Sequence, residues 1–247
     1  MRIASLVPSL TELLFALGLG PHVVARTGFC IHPREARRVP KVGGTKDPDL
    51  ARLRELAPTH LVVNVDENRR EDVDAAREFV PHVVVTHPLV PEDNRALLTT
   101  FGEAFECRAR AAGLLAQFDA SLDFARDATR ALPRERVLYL IWRNPWMTVS
   151  RPTYVSASLA LVGWDTVPAE CGVRYPAIGD EDAAWRDAQR ILLSSEPYAF
   201  RERDVAAMKK RHGKPVALVD GEWTSWYGVR AIEGLRSLAR FRLTAAS

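Results

Sequence analysis

One stretch of the chain limits its architecture more than any other. From Pro91 to Leu132, about forty residues hold two glycines, no proline after the first position, and many Ala, Leu, Arg and Glu, which is helix composition. Gly102 is expected to divide a first helix from a longer one over 103–131, in which Phe105, Ala109, Ala112, Leu115, Phe118 and Leu122 recur at helical spacing. At 1.5 Å per residue such a helix runs ~40 Å, enough to cross a domain. Before it, β-like runs at Ile3–Val7, Val23–Ala25, Leu61–Val65 and Val83–Thr86 alternate with helical segments at Leu10–Leu17, Asp49–Leu56 and Glu71–Phe79. After it, the alternation resumes, with strands at Val137–Ile141, Ile191–Leu193 and Val216–Val219 and helices at Tyr154–Leu161, Glu202–Arg211 and Val229–Leu238. Alternation of this kind predicts mostly parallel sheets covered by helices. The expected fold is α/β, two Rossmann-like lobes joined by one long backbone helix, divided as 1–102, 103–131 and 132–247. A single continuous sheet is the competing arrangement.

The opening "RIASLVPSLTELLFALGLG" is apolar enough to raise the question of an export signal. Thr11 and Glu12 interrupt the run, and Ser9 with Glu12 has the S-x-x-E spacing of a capping box. Gly18 and Gly20 then supply a helix stop. The stretch is therefore expected to be a strand and helix of the fold. Asp47 followed by Pro48 reads as an N-cap and first-turn pair. No segment approaches the roughly 20 apolar residues that span a bilayer. A net charge of +3 with interspersed signs gives no nucleic-acid footprint. Cys30, Cys107 and Cys171 are far apart and odd in number, so neither a disulfide framework nor a C-x-x-C site is expected.

Catalytic signatures are missing: there is no G-x-G-x-x-G, G-x-S-x-G, H-E-x-x-H or Walker loop. The six histidines are scattered, which speaks against a protein metal site. Aromatic residues instead gather after strands. Trp142 and Trp146 bracket Arg143-Asn144-Pro145, and Trp223, Trp226 and Tyr227 lie in "DGEWTSWYG". In open α/β sheets ligands bind at the carboxyl ends of strands, and rings there suit a flat, largely apolar ligand. The alternative is that these rings pack the protein interior. Other loop candidates are Pro8 and Ser9 at a helix start, Tyr198 in "SSEPYAF", and Cys30 and His32 in "FCIHP", which would reach a metal carried by a ligand or else be a buried thiol and a surface imidazole. Lys46, Arg143, Arg151 and Arg230 would meet polar or anionic groups, or be solvated.

Five segments in this order, "SLVPSLTELLFALGLG", "VPKVGGTKDPDL", "LVVNVDENRRED", "ILLSSEPYAF" and "VDGEWTSWYG", resemble the helical-backbone metal receptors. These are substrate-binding proteins of ABC importers for cobalamin, ferric siderophores and haem, and the likeness is strongest to the cobalamin-binding branch. The resemblance spans nearly the whole chain. It implies two Rossmann-like lobes clamping a ligand between them, with little hinge movement, and an acidic residue on each lobe that meets arginines of the membrane permease. Glu71, with Glu67 second, and Glu181 in "RYPAIGDED" are the matching positions. It implies a periplasmic or cell-surface location; the opening read as strand and helix leaves a cytoplasmic one as the alternative.

The expected function is thus non-enzymatic: a monomeric carrier, with no permanently bound cofactor, of a cobalt corrinoid. Trp142, Trp146, Trp223, Trp226 and Tyr198 would stack on the ligand, and Pro8, Ser9 and Lys46 would meet its polar edges. An iron chelate, either a ferric siderophore or haem, is the first rival; convergence of Arg143, Arg151 and Arg230 would favour an anionic siderophore. A cytoplasmic enzyme on the same plan, with Glu196 and His32 as its titratable pair, is the second. A cytoplasmic interaction protein with a decayed pocket is the third.

Overall fold

The structure, a computed structural model, describes residues 1–169 and 172–246; Cys171 lies outside the described residues. The chain divides into two compact units, one of residues 1–88, 94–116 and 227–230, the other of 89–93, 117–226 and 231–247.

The first unit holds a four-stranded sheet, all parallel, built from β1 (Ile3–Ser5), β2 (Val23–Arg26), β3 (His60–Asn64) and β4 (His82–Thr86) in the order β2-β1-β3-β4. Its helices are α1 (Pro8–Ala16), α2 (Leu50–Glu55), α3 (Arg70–Arg77) and α4 (Asn94–Ala104). Side chains alternate across a strand, so Ala4, Leu6, Leu61 and Val63 share one core layer, which Leu53 of α2 and Ala76 of α3 complete. α1 starts differently from the capping-box expectation. Val7 is its N-cap, without a side-chain bond, and Pro8 occupies the first turn, where its missing N–H costs nothing. α2 is capped by Asp49, whose carboxylate accepts the Arg52 N–H, and not by Asp47. Asp47 is instead part of a turn in which Gly43 and Pro48 pair as a bridge.

The long helix, α5 (Arg108–Thr129), has 22 residues, about 33 Å at 1.5 Å per residue. The break before it falls at Glu106, in the left-handed region with φ 54°, and not at Gly102, which lies inside α4. Gly102 serves packing: a Cβ there would lie 2.7 Å from that of Ala111 and 3.3 Å from the Arg108 Cα. Residues 108–116 group with the first unit and 117–129 with the second.

The second unit has a six-stranded sheet. β5 (Glu135–Trp142), β9 (Arg190–Ser194) and β10 (Val216–Val219) run parallel in the order β10-β9-β5, and β7 (Trp164–Thr166) joins the start of β5 in parallel. β6 (Trp146–Thr148) pairs antiparallel with the end of β5 and with β8 (Ala177–Ile178). The helices are α6 (Tyr154–Leu161), α7 (Ala183–Asp187), α8 (Glu202–His212), α9 (Gly221–Ser225) and α10 (Arg230–Ala246). Leu138, Leu140, Ile191 and Leu193 form a core layer with Val205 and Met208 of α8 and with Trp185. α/β architecture, two units with mostly parallel sheets and the linking helix agree with the sequence expectation. No helix among the described residues is long and apolar enough to cross a membrane.

Candidate functional site

Strands of the first sheet all end at the same edge, so the loops after β1, β2, β3 and β4 gather there. Asn68 fastens three of them. Its Oδ1 accepts the Asn64 N–H at 2.8 Å, and its Nδ2 donates to the carbonyls of Leu6 at 3.3 Å and Thr45 at 2.9 Å. Cys30 is wholly buried, with its sulfur 3.1 Å from the Thr11 hydroxyl and 3.2 Å from that of Thr27. Burial pushes this thiol above its ordinary pKa, so it stays protonated. Of the two readings of Cys30, the structure places the buried thiol, which presents no sulfur to a ligand. Its neighbours point the other way: Phe29 is 63% exposed and Ile31 37%, and Val65 after β3 is 52%. These three are exposed apolar residues of the loops after β2 and β3 that carry no motif in the sequence; for Phe29 and Ile31 the signal is an apolar residue on either side of Cys30.

Polar groups lie in the same loops. The Lys46 ammonium donates to the Asp66 carbonyl at 2.6 Å, and the Asp66 carboxylate lies 3.5 Å from His87 Nε2. Pro8 and His32 are half-exposed, while Ser9 is buried at the start of α1. Residues 227–230 are pinned to the same unit. The Tyr227 hydroxyl donates to Glu67 Oε1 at 2.5 Å, the Gly228 N–H to Asn94 Oδ1 at 2.6 Å, and the Arg230 guanidinium to both oxygens of Glu12 at 2.8 and 2.6 Å. Burial, then the Glu67 charge, holds the Tyr227 phenol well above its ordinary pKa. Three expectations change with this. Glu12 serves Arg230 and not a capping box, Arg230 is neutralised within the chain, and Tyr227 is a buried donor and not an open stacking face.

At the carboxyl edge of the second sheet, Trp142 ends β5 and is 40% exposed. Tyr198 meets it edge-on, ring centres 5.6 Å apart, and leans on Phe200 at 4.6 Å. Trp146 stacks on Phe200 at 6.3 Å and abuts Trp185 at 5.8 Å, and together with Tyr198 packs on the unit's core. Trp142 is thus the outer ring of a supported group and Trp146 an inner one. Trp223 departs from the set: it packs against α10, 6.2 Å from Phe241, and the missing side chain of Gly234 admits its backbone. Trp226 is 9% exposed, and its indole N–H donates to Glu196 Oε1 at 2.7 Å. The Ser225 hydroxyl donates to the same oxygen at 3.0 Å. Burial raises the Glu196 pKa, which these two bonds partly offset and the charges of Glu222 and Asp220 reinforce.

The arginines are mostly committed. Arg143 pairs with Asp204 at 3.1 Å and overlies Trp146 at 5.6 Å, and Arg151 is exposed in the loop after β6. Glu71, in the first turn of α3, and Glu181, before α7, are exposed, whereas Glu67 is taken by Tyr227. An open hollow of ≈ 350 Å³ lined by Arg126, Arg130, Arg134, Leu161 and Gly163 lies at the other end of this sheet, where β5 and β7 begin. Arg126 is paired with Glu92 and Arg134 with Asp165, so that hollow adds nothing to the edge just described. Among the described residues no group of three or more His, Cys, Asp or Glu is placed to hold a metal ion.

The periplasmic binding protein family model matches residues 3–213. The chain belongs to the periplasmic binding protein family. The resemblance carried by the five loop segments is thereby borne out at family level. A vitamin B12-binding protein of Pectobacterium carotovorum is 24% identical to this periplasmic binding protein over 249 residues, covering 100% of the chain and 89% of the relative. Among solved structures, the periplasmic vitamin B12 binding protein BtuF of Vibrio cholerae superposes with a TM-score of 0.82 at 18% identity, covering 99% of this chain and 97% of that one. The periplasmic heme-binding protein RhuT from Roseiflexus sp. RS-1 gives 0.84 at 23%, covering 100% and 99%. At these identities the structural likenesses establish the fold alone.

Proposed function

We propose that this periplasmic binding protein is the substrate-binding protein of an ABC-type importer and that its ligand is a corrinoid such as cobalamin. The ligand arrives with its own metal and is not chemically changed. The observation that carries the reading is Trp142, a 40% exposed residue at the carboxyl end of β5 whose ring is met edge-on by Tyr198. An indole fixed in this way offers a large apolar face with little entropy left to lose, which suits a planar macrocycle. Phe29, Ile31 and Val65 are exposed apolar side chains in the loops after the strands of the first sheet. Two of the three arginines that would welcome an anionic siderophore, Arg143 and Arg230, are already paired with Asp204 and Glu12. The names of the relatives include vitamin B12-binding proteins that match the chain along its length. Glu71 and Glu181, exposed and at helix starts, are the groups that would meet basic residues of the permease.

Haem is the second reading, favoured by the half-exposed His32 and Tyr198, whose side chains are ordinary iron ligands, and by the heme-binding proteins among the structural neighbours. Visible-absorbance and calorimetric titrations with cobalamin, cobinamide, hemin and a ferric siderophore separate the two. Saturable corrinoid binding is expected, weakened about tenfold or more by Trp142→Ala. Binding of hemin alone would replace the corrinoid by haem, and no binding of any chelate would reject the carrier reading.

A further inference from the structure

The acceptor side of Glu196 is half used. Its Oε1 receives both the Trp226 indole N–H at 2.7 Å and the Ser225 hydroxyl at 3.0 Å. The hydrogen bonds to its carboxylate among the described residues all go to Oε1, and Oε2 is not one of their buried unpartnered side-chain atoms. The backbone is fixed as well: the Ser194 hydroxyl donates to the Glu196 carbonyl at 2.6 Å, and a Cβ on Gly221 would lie 2.4 Å from the Glu196 Cγ. Glycine at 221 is therefore what lets this side chain settle against α9. Two donors on one oxygen restrain the carboxylate and leave the lone pairs of the second oxygen for another donor. Glu196 lies in the loop that also carries Tyr198, the prop of Trp142.

An ionised carboxylate accepts hydrogen bonds and donates none. Glu196 makes no ion pair among the described residues, and its nearest charges, Glu222 and Asp220, are of its own sign. A ligand group opposite Oε2 must therefore bring an N–H or O–H. A corrin ring is fringed with primary amides, which have N–H to give; haem ends in two propionates and cobyrinic acid in seven carboxylates, which have none at neutral pH. We propose that the open oxygen of Glu196 is the specificity-determining acceptor of this protein, taking an amide N–H on the rim of its metal chelate and turning away rims of carboxylate. The inference rests on the chelate-carrier reading and adds to it the chemical class of the ligand's rim.

Glu196→Gln is the natural test, because glutamine keeps an oxygen for Trp226 and Ser225 while turning an NH₂ outward, so acceptor becomes donor. Near-ultraviolet circular dichroism and the thermal midpoint verify that the variant is folded. The probes are dicyanocobinamide and dicyanocobyrinic acid, which share a ring and differ in amide against carboxylate. The native protein is expected to favour the amide form by about tenfold or more, as a charge-assisted hydrogen bond warrants, and Glu196→Gln to shrink that ratio by about tenfold. Equal affinities in the native protein, or a ratio untouched by the substitution, would overturn the role of Glu196 while leaving corrinoid carriage standing. If neither corrinoid binds but hemin does, the corrinoid reading falls, and a preference for the bis-amide of haem over hemin, lost in Glu196→Gln, sustains the acceptor role; no such preference ends it. Binding of none of the four ends both.

Discussion

The two carboxyl edges finish their strands by different means. In the first unit, neutral side chains do it: Asn68 joins the loops after β1 and β3 to the turn at Thr45, and Thr11, Thr27 and Cys30 close on one another beneath them. What faces outward is aliphatic or phenyl, namely Phe29, Ile31 and Val65. In the second unit, rings do it: Trp142, Tyr198, Phe200 and Trp146 lean on one another, above a smaller hydroxyl group of Tyr139, Ser194 and Thr224. Buried polar atoms there are met by Asn68 in the first unit and by the hydroxyl group of Tyr139, Ser194 and Thr224 in the second. The two edges differ in what failure would cost. A hydrogen-bonded hub leaves several unpaired groups when one atom set is lost, whereas stacked rings share the loss among neighbours.

Asn68→Ala and Tyr139→Phe break this comparison most sharply. The first strands the Asn64 N–H and the Leu6 and Thr45 carbonyls, and at roughly 1–3 kcal/mol for each buried unpaired group, softened by relaxation, a loss of about 3 kcal/mol is expected. The second removes a hydroxyl that burial keeps un-ionised, its pKa pushed up to about 12. Its partners have other acceptors, Ser194 the Glu196 carbonyl and Thr224 that of Gly221, so about 1 kcal/mol is expected. Urea unfolding of the two variants checks this. Equal losses would show that the two edges are not built on different principles.

How far the sequence disclosed all this depends on what kind of signal each feature left. Central strands of parallel sheets are buried on both faces and read as apolar runs, which is why LVVN, VLYLI and ILL lie in strands. β6 and β8 left no such run: they have three and two residues, beside Pro145 and Pro176, and exist through pairing with the end of β5. Gly102 was legible as a glycine but not as a packing glycine, and nothing in Glu106 announces a positive φ. At the site, position was legible and direction was not. Trp223 lies within α9 and turns toward α10, whereas Trp226, three residues on, has left the helix with ψ 116° and reaches Glu196. Sequence spacing alone would have put both rings on one face.

A smaller effect, shared by the two units, depends on pH. Each carries an imidazole whose protonation is disfavoured. His60 is lowered from 6.5 by burial, then by the stacked His82 at 4.8 Å and the amino terminus. His212, stacked on Trp185 at 4.5 Å, is lowered by burial, then by Arg211 and Lys214. A folded-state pKa below the unfolded one means that the unfolded chain takes up protons first. Stability is then full above about pH 6.5, declines as pH falls through the folded pKa, and levels off beneath it. Both residues are partly exposed, and solvent screening keeps the decline small. Urea midpoints from about pH 7.5 to about pH 5 are expected to fall, with His60→Gln and His212→Gln each removing part of the slope; a slope unchanged in both variants would reject these two groups as its source.

The smallest effect on the isolated protein belongs to the pair proposed to meet the permease, and its smallness is what makes it diagnostic. Glu67 and Glu71 are four residues apart on the first unit, yet Glu67 binds the Tyr227 hydroxyl while Glu71 stands exposed in the first turn of α3. Removing a solvated carboxylate shifts stability by no more than about 0.5 kcal/mol. Glu71→Ala and Glu181→Ala should therefore leave both unfolding and chelate affinity as they are, whereas Glu67→Gln should cost stability through Tyr227. If exposed acids steer docking, charge reversal at Glu71 and Glu181 slows ligand delivery in membranes reconstituted with the permease, most at low salt, where steering is strongest. Delivery indifferent to reversal at both positions would leave them as ordinary solvated carboxylates and would move the docking surface elsewhere on the two units.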